Sequence, residues 1–119
     1  MKMLKTLVLI LAMSMISSVV NASAYQGIIS SIAPFNNKVY VVIDSGGWDG
    51  SVGSCQGNTV NAIFVIDPST QFGRLLYATA LSAKLTGRLV YVMGNGTCVG
   101  GAPYGSGYGE ELIGLNLNG

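Results

Sequence analysis

A single run with helical spacing, set among five short apolar runs that read as β-strands, leaves this chain few ways to fold. Gly27 to Ile32 is short, apolar and β-branched, and it stops at Pro34. After the Asn36-Asn37 turn signal, Lys38 to Ile43 (KVYVVI) alternates strongly, and the two runs are close enough to pair as a hairpin. Asp44 to Gly57 is rich in Gly and Ser and reads as loop, and Val60 to Ile66 (VNAIFVI) reads as a third strand. The period then changes. Asp67 and Pro68 supply a capping side chain and a first-turn proline, and Phe72, Leu75, Ala78, Leu81 and Leu85 follow at spacings of three and four. Gly87 stands where helices turn off in the left-handed conformation. Arg88 to Met93 (RLVYVM) is a fourth strand, Gly94 to Gly109 a glycine-rich loop, and Leu112 to Leu117 a short fifth strand.

The expected order is therefore β-β-β-α-β-β, a mainly β fold with one helix. Five strands of this length cannot bury both faces of a flat sheet, whereas closure into a small barrel capped by the helix removes the exposed edges. That order is the connectivity of an OB-fold. The stripe from Phe72 to Leu85 is expected to face the barrel. The opposite face carries Gly73, Tyr77, Ala80 and Lys84 and is small-sided, which suits either close approach by a neighbouring subunit or the plain helix preference of alanine.

Met1 to Ala24 has the build of a secretory signal peptide. Lys2 and Lys5 form the positive start, Leu7 to Met13 the apolar run, and Ala22-Ser23-Ala24 a small-x-small cleavage site, placing the expected mature start at Tyr25. The apolar run is shorter than the ~20 residues of a membrane anchor, so no membrane span is expected. Residues 25–119 then form one secreted or periplasmic domain. Its charges are four cations (Lys38, Arg74, Lys84, Arg88) against five anions (Asp44, Asp49, Asp67, Glu110, Glu111). Such a balance lacks the basic patch that nucleic-acid binding requires.

Cys55 and Cys98 are the two cysteines, and a lone pair in an exported chain reads as a disulfide. Catalytic machinery is not legible. The chain has no histidine, which removes imidazole as base or metal ligand, and Glu110 and Glu111 would point to opposite faces of a strand. Asp44 and Asp49 lack calcium-loop spacing, and Gly94-Asn95-Gly96 lacks the lysine and helix of a phosphate loop. No enzyme activity and no cofactor are expected. A binding role is better supplied: Trp48, the only tryptophan, stands beside Asp49, and Tyr104 and Tyr108 occupy the second glycine-rich stretch. Aromatics on polar loops can stack on sugar rings while neighbouring polar groups take the hydroxyls. Each can equally be a lid packed over the barrel end.

Taken in order, Gly27-Ile28-Ile29, Lys38-Val39-Tyr40 through Ile43, Cys55, Thr86-Gly87 with Val90, and Leu112-Ile113-Gly114-Leu115 resemble the B subunits of subtilase cytotoxin and its typhoid-toxin-like relatives. The resemblance implies a non-catalytic secreted protein that forms a homopentameric ring, binds a cell-surface glycan and has an enzymatic A subunit as partner. It also implies a sugar pocket by the first strand, where Gln26 stands in place of the serine that contacts sialic acid; Trp48 and Asp49, singled out above from the chain itself, are expected to line the same pocket as ligand-binding residues. Where those subunits carry a cysteine in the second strand, this chain has Val42. The other reading is a structural or protein-interaction module of the bacterial envelope without sugar binding.

Overall fold

The computed structural model describes residues 22–53, 55–56, 61–101 and 108–118. Most of the expected signal peptide, and also Val60 and Tyr104, lie outside these residues. Among the described residues, five strands and one helix follow in the expected order: β1 (Ala24–Phe35), β2 (Lys38–Trp48), β3 (Ala62–Ile66), α1 (Gln71–Thr86), β4 (Leu89–Gly100) and β5 (Tyr108–Asn118). The strands close into a barrel in the order β1-β2-β3-β5-β4. All pairings are antiparallel except β3 with β5, whose parallel register of Phe64 with Glu110 and Val65 with Glu111 forms the closing seam. This is the OB-like arrangement that the element order implied.

The β1–β2 hairpin turns at Asn36 and Asn37, both at positive φ, and Phe35 pairs directly with Lys38. Asparagine tolerates this conformation because its short polar side chain bonds locally. In β2 the alternation splits cleanly. Val39, Val41 and Ile43 enter the main core with Tyr25, Ile29, Phe64, Ile66, Val90, Val92 and Leu112, whereas Tyr40 and Val42 join Ile63 and Val65 in a second cluster. That second cluster explains why the stretch after Met93 is not simply loop. The strand β4 runs on to Gly100, Val99 packs on the cluster, and the Tyr40 hydroxyl donates to the Gly100 carbonyl at 3.0 Å. All five residues of β3 are consequently buried. The Gln56 side chain flanks this strand like a short extra β-edge, donating to the Ile63 carbonyl (3.0 Å) and accepting from its amide (2.9 Å).

Cys55 and Cys98 form the expected disulfide, with Cα atoms 5.2 Å apart across a sequence separation of 43. Closing a loop of that length removes unfolded-state entropy amounting to about 4 kcal/mol.

Two local expectations at the helix are corrected. Its N-cap is Thr70, whose Oγ1 accepts from the Gly73 amide at 2.8 Å, while Asp67 organises the preceding turn by accepting the Ser69 amide and hydroxyl. Those bonds come first among the causes that hold the Asp67 carboxyl below its usual range, and Lys38, 3.3 Å away, adds to them. Gly87 caps the C-terminus in the left-handed conformation as expected. The larger correction concerns which face is inside. Gly73, Leu76, Ala80 and Ala83 are buried, whereas Phe72 (54%), Leu75 (61%) and Leu85 (84%) are among the most exposed apolar side chains. The face that packs on the barrel is made of Leu76, Ala80 and Ala83, which belong to the main core, while Gly73 sits against the turn that starts the helix, where a Cβ would run into the Asp67 carbonyl. Small residues and Leu76 make the intramolecular contact, and Phe72, Leu75 and Leu85 are turned outward.

Replacing Ala80 with Arg should accordingly destabilise the monomer by upward of about 3 kcal/mol, since it overpacks a closed site and buries an unpaired charge. Leu75→Glu should leave stability within about 0.5 kcal/mol. Thermal or urea unfolding of the two variants checks the pair. Equal stabilities would refute the observed helix orientation.

Candidate functional site

A β-bulge builds the candidate site. Gln26 pairs with Gly47 and Ile28 with Asp44, so Ser45 and Gly46 stand opposite Gly27 alone. Ser45 takes a left-handed φ of 61°, and Gly46 approaches the Gln26 carbonyl so closely that no side chain fits there. The extra residue reverses the alternation of β2. Trp48, even-numbered like the outward Tyr40 and Val42, is thereby swung toward the core side of the barrel. This corrects the expectation that Asp44 to Gly57 is all loop: its first five residues are strand, and Trp48 ends it.

The indole meets the Tyr25 ring edge-on (centroids 5.0 Å apart, planes at 78°) and tilts against Phe64 at 6.5 Å. Its Nε1 is buried, with no hydrogen-bond partner among the described residues. Trp48 is thus half-buried, packing on the core with one side while its remaining surface lines a cleft.

That cleft, about 500 Å³ and open to solvent, is lined by Gln26, Gly46, Gly47, Trp48, Asp49, Leu89 and Tyr91. The three residues singled out from sequence therefore meet in one place. Strand register brings them there: Gly47, Gln26 and Tyr91 are consecutive neighbours across β2, β1 and β4. The adjacent Asp49 is tied down by its amide, which donates to the Ala24 carbonyl at 2.9 Å. Gly47 contributes open space, because a Cβ there would touch nothing within 4 Å.

Tyr91 was not foreseen. Its hydroxyl donates to Asp49 Oδ2 at 2.6 Å. This bond, with smaller contributions from desolvation and the Asp49 charge, raises the phenol above its usual range. A signal existed in the sequence, for Leu89, Tyr91 and Met93 alternate with the buried Val90 and Val92 and so had to face outward. Of the other aromatics considered, Tyr108 opens β5 opposite Gly100, away from the cleft-lining residues. Glu110 and Glu111 do face opposite ways, Glu110 fully buried and Glu111 exposed.

The cleft offers an apolar aromatic surface beside an amide, a carboxylate and a phenol. Among the described residues no group of three or more His, Cys, Asp or Glu side chains could hold a metal ion, and no helix is long and apolar enough to cross a membrane. No family model, curated protein or solved structure matches the chain.

Two outcomes follow from this geometry. Asp49→Asn should return the Tyr91 ionisation toward about 10, read by ultraviolet absorbance during alkaline titration. Since the folded-state phenol is raised, the stability that it contributes is present below the unfolded value and is lost as pH climbs through the raised one. Trp48→Ala should lower stability by about 3 kcal/mol, because it opens a void against Tyr25 and Phe64; an unchanged melting temperature would show that the indole does not pack on the core.

Proposed function

We propose that this protein is a secreted, non-catalytic carbohydrate-binding protein whose sugar site is the cleft of Gln26, Trp48, Asp49 and Tyr91. The observation that carries the reading is the convergence of an aromatic side chain with three polar groups of different hydrogen-bonding character in one open cleft. A sugar presents an apolar C–H face and a rim of hydroxyls that both donate and accept. The indole surface suits the first, while the Gln26 amide and the Asp49–Tyr91 pair suit the second. The sequence resemblance to toxin B subunits supports the same ligand class and an exported location.

A shallow open site of this kind binds one sugar weakly, with Kd roughly millimolar, or about −4 kcal/mol. Useful affinity then needs several sites on one assembly. The exposed stripe of Phe72, Leu75, Leu81 and Leu85 supplies a surface for a second copy, and a pentameric ring is the assembly that the resemblance favours. An A subunit is a further partner on that reading. The sequence-based expectation put Gly73 and Ala80 at the subunit contact. Because these residues lie on the inner, buried face of the monomer's own helix, the large-residue face is proposed for that contact instead.

The same stripe favours the second reading, a protein-interaction module without sugar binding, and one experiment separates the two. Gly47→Leu would fill the cleft while leaving every lining side chain in place. Binding of purified protein to a glycan array should fall at least tenfold in Gly47→Leu and in Gln26→Ala, with melting temperatures kept. If wild-type protein binds no glycan, or if Gly47→Leu binds as well as wild type, the sugar site is not this cleft. Native mass spectrometry should show an oligomer for wild type and monomer for Leu75→Glu; a wild-type monomer at micromolar concentration would overturn the assembly.

A further inference from the structure

Glu110 has no solvent-exposed surface, and its three hydrogen-bond donors among the described residues are all neutral. The Gly96 amide donates to Oε2 at 3.0 Å, the Ser23 amide donates to Oε2 at 3.1 Å, and the Ser23 hydroxyl donates to Oε1. Two of the three therefore come from one residue at the junction with the expected leader. The fit around the carboxyl is close. A Cβ on Gly94 would collide with it, and one on Gly53 would meet both Oε1 and the Ser23 side chain. Ser23 is itself 5% exposed, and its carbonyl accepts the Gly94 amide at 2.8 Å.

We infer that the leader is cut between Ala22 and Ser23, and that the new α-ammonium of Ser23 pairs with the buried Glu110 carboxylate. The inference rests on the export reading given above. Hydrolysis adds water across the Ala22–Ser23 bond under a leader peptidase: the Ala22 carbonyl carbon gains the hydroxyl and ionises to carboxylate, and the Ser23 nitrogen gains protons to become ammonium. The nitrogen already within hydrogen-bond distance of Oε2 thus acquires a positive charge where a buried acid needs one. Ala22 supplies the small residue before the bond and Val20 a small aliphatic residue two places earlier, so the local sequence suits this cut as well as one after Ala24. Because Ser23 is buried, the bond is cut before the barrel closes.

Cleavage after Ala24, as the small-x-small pattern first suggested, would undo this arrangement. It removes both Ser23 donors and leaves Glu110 with the Gly96 amide as its one donor among the described residues. It also deletes the Ala24–Met93 pairing of β1 with β4 and the carbonyl that fixes Asp49 beside the cleft. In the uncut precursor the same nitrogen is a neutral amide, so the core acquires its counter-charge only on processing.

The full precursor, exported from a bacterial host, should yield a protein that begins at Ser23 by intact mass and N-terminal sequencing. A start at Tyr25 overturns the inference, whereas an uncut chain from Met1 overturns the export reading beneath it. A matched protein that keeps Ala22 ahead of Ser23 replaces ammonium by amide with every other side chain unchanged. It should melt on the order of 10 °C lower, and the gap should close in the Glu110→Gln background. Equal melting of the two wild-type forms overturns the ion pair. Should Glu110→Gln fail to fold, acylation of the native protein decides: the Ser23 amine should react at least tenfold more slowly than Lys38 and Lys84, and equal reactivity refutes the pairing.

Discussion

Closure of the barrel hangs on its parallel seam, where β3 and β5 meet over two register pairs, Phe64 with Glu110 and Val65 with Glu111. Every other strand contact is a longer antiparallel ladder. Like the β1–β4 ladder, the seam joins strands far apart in the chain, but it must recover its loop-closure entropy from two register pairs instead of five. What surrounds it is correspondingly dense. Phe64 sits in the main core, Val65 in the second cluster, and the disulfide joins Cys55, ahead of β3, to Cys98, which pairs with Glu110 on β5. A buried carboxyl at that position would weaken the seam unless satisfied. The donors that Ser23 and Gly96 bring to it therefore belong to the closure of the fold as much as to local hydrogen bonding.

The helix shows how a pattern can be read correctly as helix and wrongly as orientation. Spacing of three and four identified α1 between Asp67 and Gly87, and Gly87 was placed by its αL preference; both follow from local physics that the sequence carries. Which stripe faces inward is decided by the distance between helix and barrel, and that distance is not local. Hydrophobicity favours burying Phe72 and Leu75, but the face packed on the barrel carries Leu76, Ala80 and Ala83, with Gly73 buried against the entry turn. The small-sided face that looked like a surface for another subunit is the face that the monomer uses on itself.

The site was legible in part for a similar reason. Trp48 and Asp49 were visible as an aromatic beside a carboxylate in a glycine-rich segment, and Gln26 only through the family resemblance. Their meeting depends on a bulge that alternation does not announce. Ser45 and Gly46 add one residue to β2, and from there to Trp48 the inside and outside of the strand are exchanged. Glycine richness hid this, since the same composition serves a loop and a bulged strand end. Tyr91 was readable from the parity of β4 alone, but its significance lies in the 2.6 Å bond to Asp49, a contact between residues 42 positions apart.

The half-buried indole carries two demands that usually separate. A residue packed edge-on against Tyr25 and tilted on Phe64 is rigid, and rigidity lowers the ordering cost of binding anything that stacks on it. The same packing leaves Nε1 without a partner among the described residues, and a buried donor left unsatisfied costs about 1–3 kcal/mol. The barrel tolerates that loss because the aromatic contacts around the ring offset it. Rigidity cannot deepen the cleft, however, so affinity on the proposed reading must come from repetition. That requirement links the cleft to the outward stripe on α1. Closing the barrel with small helix residues is what leaves Phe72, Leu75 and Leu85 free to meet another copy, and assembly through them would multiply a site that is weak by itself.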